Sequence, residues 1–355
     1  MTGKKISLVM IVKNEEATLG RCLESVQQIV DEIIIVDTGS EDKTKEIAQQ
    51  YDAKIYDFKW CNDFSAARNF ALSKATGDIR LVLDADEYVI AGTKEDIIEA
   101  VKEGTVGQIT IFNAFNKENE ISYSKNYTSR VIHKGINYTG KIHEQINSKQ
   151  RRVKTKIEVM HDGYLYQDKS ERNLEILFEA VKQNPNSSYM LYQLAHTLFV
   201  AKRKEEALVW YQKYYKVNKV EVSYRCSAIV DYLYTIIATG KLEQGLKVIE
   251  QEQERYNDSP DFNFVCAEFY RELVLSNVEK YMAYLPLIES YYIKCLEIGE
   301  TTKYDSIVGT GTYAAAYNLG VWYEVSGQVE KAKVCYNMAS EWGYEKAIER
   351  IKLLS

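Results

Sequence analysis

Short apolar runs alternating with amphipathic stretches limit the fold of the first half of this chain more than any other feature. Ile6–Val12 (ISLVMIV) reads as a fully buried strand. Glu15–Gln28 reads as a helix with Leu19, Cys22, Leu23 and Val26 on one face. Glu32–Val36 is a second strand, and Asp37 opens a turn whose Ser40 is placed to cap a helix running to Gln50. Lys54–Asp57, a helix over Ala66–Ala75, and Ile79–Leu83 ending at Asp84 continue the alternation. Strand–helix alternation at this spacing predicts a mostly parallel sheet with right-handed crossovers. After residue 105 the pattern changes: Val106–Phe115, Ser122–His133 and Arg152–Met160 read as longer strands without helices between them.

From about residue 170 the chain reads as helical and repetitive. Ser188–Asn218 has helix–turn–helix spacing, with Ala195 and Ala207 where two helices would pack closely. The same turn-plus-helix phrase recurs at Thr239–Gly245 (TGKLEQG) and Ser326–Tyr336 (SGQVEKAKVCY). Repeats of this kind resemble tetratricopeptide helices, which stack into a concave surface for a peptide or a partner subunit. Most of the 28 tyrosines fall in this half, where helical spacing assigns them to core and groove lining. The expected domains are residues 1–168, α/β, and 169–355, all-α.

The 355 residues suffice for two such domains. A net charge of −6 gives no strong pull toward nucleic acid or anionic membrane. Ile6–Val12 is far short of the roughly 20 apolar residues a membrane helix needs, and no signal peptide is read ahead of it. Six cysteines without a C-x-x-C indicate neither zinc nor a disulfide framework, so a reduced, cytoplasmic protein is expected. Cys22 and Cys61 read as buried small hydrophobes.

In an open α/β sheet, ligands bind beyond the carboxyl ends of the strands. There the sequence places Val12-Lys13-Asn14-Glu15-Glu16, Asp37, and Asp84-Ala85-Asp86-Glu87, with Trp60 to Asn69 between strands three and four. No glycine-rich phosphate loop is present, so phosphate chemistry must come from side chains and a metal. Asp84 and Asp86, two apart at a strand end, are expected to share a side and take a hard divalent cation that keeps positions open for diphosphate oxygens. Arg68 has the fork that suits a diphosphate, against the alternative of a salt bridge to a carboxylate such as Asp63 or Asp86. Three of the four histidines (133, 143 and 161) lie in the β-rich stretch.

The phrases MIVKNEE, IVDTGSEDKT, KWCNDFSAARN, VLDADE, YTGKIHEQ and MHDGY, in that order, resemble family 2 glycosyltransferases of the GT-A (Rossmann-like) fold. More narrowly, they are similar to the bacterial subgroup with C-terminal tetratricopeptide-like helices, which includes the peptide S-glycosyltransferases that modify glycocin bacteriocins of the sublancin type. The resemblance implies that Ile11, Lys13, Glu15 and Asp37 hold the uracil and ribose of a UDP-sugar. It implies Arg68 at the diphosphate, Asp84 and Ala85 on the ribose or sugar side, and Asp86 on Mn²⁺ or Mg²⁺. His161 would complete the metal site or touch the diphosphate, and an imidazole ligand favours Mn²⁺. Transfer with inversion needs a base for the acceptor proton. Glu144 is the candidate, with His143 positioning it or binding the donor; neighbours on a strand would face opposite ways.

The expected activity is metal-dependent transfer of a hexose from a UDP-hexose to a Cys, Ser or Thr side chain of a bacteriocin-like peptide or protein. Alternatives are the same chemistry on a cell-envelope saccharide or lipid-linked acceptor, and a non-catalytic adaptor with a degenerate first domain. The helical half is expected to bind the acceptor, to self-associate as a homodimer, or both.

Overall fold

A computed structural model of the chain describes residues 3–117, 120–163, 170–217 and 222–354. It divides into two compact units, Met1–Ala180 and Val181–Ser355. The expected boundary at 168/169, Tyr164 of MHDGY and Asn218 lie outside the described residues.

The first unit contains strands β1 (Ile6–Val12), β2 (Glu32–Asp37), β3 (Lys54–Asp57), β4 (Ile79–Val82), β5 (Glu87–Ala91), β6 (Thr105–Lys117), β7 (Glu120–His133), β8 (Tyr138–Thr139), β9 (Gln145–Ile146) and β10 (Arg151–His161), with helices α1 (Leu19–Val26), α2 (Thr44–Gln49), α3 (Phe64–Lys74) and α4 (Lys94–Ala100). The main sheet runs β3-β2-β1-β4-β7-β6-β10-β5. β3, β2, β1 and β4 are mutually parallel, whereas β7 enters antiparallel to β4 and to β6. The sheet is therefore mixed rather than mostly parallel, because the long strands after residue 105 pair as a hairpin without crossover helices. β1 is apolar on both faces because both are covered. Ile6, Leu8, Met10 and Val12 join α1 through Leu19, Cys22, Leu23 and Val26, while Val9 packs with Ala71 and Leu72 of α3.

Four local expectations are corrected. α1 begins at Leu19 rather than Glu15. Ser40 does not cap α2: its N–H donates to Asp37, its Oγ accepts from Asn14 N at 2.9 Å, and α2 starts only at Thr44. β4 stops at Val82, leaving 83–86 as a turn into the unanticipated β5, with Glu87 N donating to Asp84 O at 3.0 Å. Cys61 is exposed, although Cys22 is buried as expected; all six cysteines are free thiols.

α5 (Ser170–Gln183) leads into the second unit, an all-α array: α6 (Ser188–Val200), α7 (Lys204–Val217), α8 (Arg225–Thr239), α9 (Leu242–Tyr256), α10 (Pro260–Ser276), α11 (Val278–Tyr281), α12 (Leu285–Ile298), α13 (Tyr313–Val325), α14 (Val329–Glu341) and α15 (Glu345–Leu354). The small repeat positions are close-packed. Ala195, Ala207 and Ala332 are fully buried, and a Cβ on Gly245 would meet Phe269 Cζ at 2.8 Å. Tyrosines build this core: Tyr211, Tyr214, Tyr256, Tyr292 and Tyr336 are among the largest fully buried side chains. No helix of the described residues is long and apolar enough to cross a membrane.

At the start of α10, buried Asp261 accepts from Ile307 N at 2.8 Å and meets Thr310 Oγ. That hydroxyl also reaches Ile307 O at 2.9 Å and has one proton to give. The network closes when Asp261 is the protonated partner and donates to Thr310. Consistently, burial, with Glu300 and Asp231 adding, pushes Asp261 up to about 7 against the opposing hydrogen bonds. The neutral acid's contribution is complete below pH 4 and is lost as pH rises to about 7, a difference of up to ~4 kcal/mol. Thermal melts at pH 5 and pH 8 are expected to show this loss in the wild type and a reduced one in Asp261→Asn, whose amide reproduces the neutral pattern.

Candidate active site

Beyond the carboxyl ends of β1 and β2, two sequence motifs interlock. Asp37, buried at the end of β2, accepts from Gly39 N and Ser40 N, each at 3.0 Å, and lies 3.5 Å from Lys45 Nζ. Burial alone would raise its pKa, but these donors and the lysine hold it below the ordinary value. Asn14, with left-handed backbone (φ 54°), accepts from Glu41 N at 2.8 Å, and Glu15 N donates to Thr44 Oγ at 2.7 Å. Glu15 accepts from Thr18 Oγ, Lys13 is exposed, and Ile11 is half-buried on β1.

The D-x-D turn after β4 does not present its carboxylates as a matched pair. Asp84 accepts from Arg68 Nη2 at 2.7 Å through one oxygen and from Arg130 Nη2 at 2.9 Å through the other. Burial opposes its charge, yet the two guanidiniums hold it far below the carboxylate range. Arg130 also donates to buried Glu87 at 3.0 Å, and Glu87 accepts Asp84 N–H at 2.8 Å. Burial, reinforced by Asp84, leaves Glu87 above the ordinary glutamate value despite Arg130. Ala85 is buried in the core. Asp86 instead meets His161, whose Nε2 is 3.5 Å from Asp86 Oδ2. A strand would have pointed Asp84 and Asp86 the same way; a turn lets each find its own partner.

Asp86 and His161 form a two-ligand set that fits a divalent cation. His161 Nδ1 lies 2.9 Å from Asn113 Oδ1; as the donor there, it leaves Nε2 as the nitrogen facing Asp86, where it donates to the carboxylate when protonated and would offer its lone pair to a cation when not. Gly163 has the Asp86 carboxyl where its Cβ would stand, with Cγ at 2.8 Å, so glycine is required for this placement. Burial disfavours charge on His161, but the Asp86 hydrogen bond and nearby carboxylates outweigh it and raise its pKa. Among the described residues no group of three or more His, Cys, Asp or Glu side chains is placed to hold a metal. A cation here would fill its remaining positions with water and substrate oxygens, as Mg²⁺ and Mn²⁺ commonly do.

The third part is a small hairpin, β8–β9, which forms its own two-stranded sheet. Asn69 of α3 clamps it, donating to Tyr138 O at 2.9 Å and accepting from Tyr138 N at 2.8 Å. Phe64 N donates to Lys141 O at 2.9 Å. Glu144 ends the loop and accepts from Arg68 Nε. His143 and Glu144 are not strand neighbours: they sit in the 140–144 loop, where Gly140 (φ 100°) and His143 (φ 48°) are left-handed.

Residues 7–161 match the family model described as glycosyl transferase family 2. A TPR repeat-containing protein of Synechococcus elongatus is 41% identical over 121 residues, 34% of this chain and 30% of that protein. The SPbeta prophage-derived glycosyltransferase SunS of Bacillus subtilis is 26% identical over 229 residues, 59% of this chain and 52% of SunS. The chain thus spans about a third to a half of the length of these relatives. Among solved structures, glucosyl-3-phosphoglycerate synthase from Mycobacterium tuberculosis, in complex with Mn²⁺, UDP and glucosyl-3-phosphoglycerate, is 25% identical over 31% of this chain and 44% of that one. Its TM-score of 0.26 is too low to carry an inference.

Within the first unit, the structure brings Arg68, Asp84 and Glu144 into contact, sets Asp86 beside His161, and leaves Asp37, Glu15 and Lys13 around the β1 and β2 ends. Sequence reading gave no role to Arg130, Glu87, Asn113, Asn69 and Gly163, although Asn69, Glu87 and Gly163 stood within motifs already singled out. Arg130 lay inside an alternating strand and had no local signal marking it as buried.

Proposed function

We propose that this chain transfers a hexose from a UDP-sugar, with inversion, to a cysteine, serine or threonine side chain of a peptide or protein. The observation that carries this reading is the clustering of Arg68, Arg130, Asp84, Asp86, His161 and Glu144 at the carboxyl-end face of a family 2 glycosyl transferase domain. Asp37 and the 11–15 segment bind the uracil and ribose, Arg68 grips the diphosphate, and Asp84 faces the ribose or sugar. Asp86 and His161 hold Mn²⁺ or Mg²⁺, which when bound neutralises charge on the departing diphosphate.

Glu144 takes the proton from the acceptor S–H or O–H. The sulfur or oxygen then bonds to the anomeric carbon while the bond from that carbon to the diphosphate oxygen breaks, its electron pair leaving with UDP. A thiol acceptor has an ordinary pKa of about 8.5 and is partly ionised near neutrality, so it makes the smaller demand on the base. The resemblance of its motifs to peptide S-glycosyltransferases favours a peptide acceptor, and the helical unit is assigned to holding that peptide, to self-association, or both.

Intact-mass analysis of candidate peptides incubated with a panel of UDP-sugars tests the proposal. One hexose increment on a peptide, with fragmentation locating it on Cys, Ser or Thr, is the expected result. Transfer only to a glycan or lipid-linked acceptor would replace the peptide reading.

A further inference from the structure

We infer that Glu144 and the diphosphate of the donor compete for Arg68, so that donor binding itself frees the carboxylate that receives the acceptor proton. The inference rests on the proposed transfer reaction. Arg68 is 7% exposed, and two of its three nitrogens are already held by acids: Nε by Glu144 and Nη2 by Asp84. Its Nη1 is buried with no protein partner. A guanidinium grips a diphosphate or carboxylate most strongly through two adjacent N–H groups. The side-on pair, Nε–H with Nη2–H, already meets Glu144 on Nε, and the end-on pair, Nη1–H with Nη2–H, shares Nη2 with Asp84, so a two-point grip on the donor competes with one of these acids.

The surroundings decide which one yields. Asp84 is also bound by Arg130, and its backbone N–H is tied to Glu87 in the turn between β4 and β5. Glu144 lies in the 140–144 loop between two-residue strands, in a sheet separate from the main one, with left-handed backbone at Gly140 and His143. The Asn69 clamp and the Phe64–Lys141 bond keep the hairpin docked without involving the Glu144 side chain. Glu144 is therefore the replaceable partner. Once displaced, it accepts the proton of the acceptor S–H or O–H, as the new bond to the anomeric carbon forms and the electron pair of the broken bond departs on UDP. Before the donor arrives the base is latched to Arg68, so deprotonation of the acceptor follows donor binding.

The test is a calorimetric titration of the full chain with UDP in the presence of Mn²⁺, for wild type and Glu144→Gln. The amide is isosteric and keeps an acceptor for Arg68 Nε, but gives up the charge that competes with phosphate. UDP is expected to bind Glu144→Gln about tenfold more tightly, the factor of exchanging a charge-assisted for a neutral hydrogen bond. Transfer to the acceptor found by mass analysis should meanwhile slow by at least ~100-fold. Equal or weaker UDP binding by the variant would overturn the competition. Absence of UDP binding to the wild type would overturn the transferase reading instead, a separate result.

Discussion

Asp86→Ala is expected to reduce transfer by at least ~10³-fold while leaving the melting temperature nearly unchanged. The two parts follow from the same geometry. Asp86 is half-buried and pairs with His161, an imidazole that can give up its proton once the carboxylate is gone. In the proposed reaction, however, it supplies the carboxylate of a two-ligand cation site, and losing that cation would remove several kcal/mol of stabilisation from the departing diphosphate. Gly163→Ala should reach the same end by another route, because the added methyl occupies the place of the Asp86 carboxyl and drives that flexible side chain aside. EDTA should inactivate the wild type, and readdition of Mn²⁺ should restore it. Transfer assays paired with thermal melts check all three. Full turnover in Asp86→Ala, or in EDTA, would remove the cation from the mechanism.

Arg130→Met is expected to destabilise the first unit by about 3–5 kcal/mol, the usual consequence of removing one partner from a buried ionic network. Arg130 bridges Asp84 and Glu87, which are brought together by a turn. Asp84 retains Arg68 in the variant, but Glu87, already above its ordinary value through burial, loses its cation. The folded-state pKa of Glu87 then rises further. Its protonated form supports the fold below the ordinary value near 4.5, and that support is lost as pH rises through the raised one. The deficit of Arg130→Met should therefore be smaller at pH 5 than at pH 8, and adding Glu87→Gln should recover part of it. Chemical denaturation of the single and double variants at both pH values measures this. A pH-independent deficit unaltered by Glu87→Gln would place the role of Arg130 in packing rather than charge.

The parallel half of the sheet was legible because a strand covered on both faces must be apolar throughout, and Ile6–Val12 satisfies no other element. Periodicity likewise exposed the buried face of α1 and the small residues at the helix crossings of the second unit. Reading by strand period failed where the chain turns. It made Asp84 and Asp86 side-by-side ligands, whereas the 83–86 turn sends one to two arginines and the other to His161. It also set His143 and Glu144 on opposite faces of a strand, whereas left-handed backbone at Gly140 and His143 makes a loop. Arg130 went unseen for a topological reason: β7 returns to β4 antiparallel, and that pairing brings Arg130 to Asp84 from 46 residues away. Arg68 was read with both its roles, diphosphate and salt bridge, open. Its carboxylate partners are Asp84 and Glu144 rather than Asp63 or Asp86.

The proposed reaction requires a nucleotide diphosphate and a cation to meet beyond β1, β2 and β4. A crystal structure of the full chain soaked with UDP and Mn²⁺ measures this directly. The account predicts the uracil and ribose beside Asp37 and the 11–15 segment, the diphosphate on Arg68, and Mn²⁺ bound by Asp86 and His161. UDP bound elsewhere on the chain, or Mn²⁺ absent from Asp86 and His161 with the nucleotide in place, would contradict it.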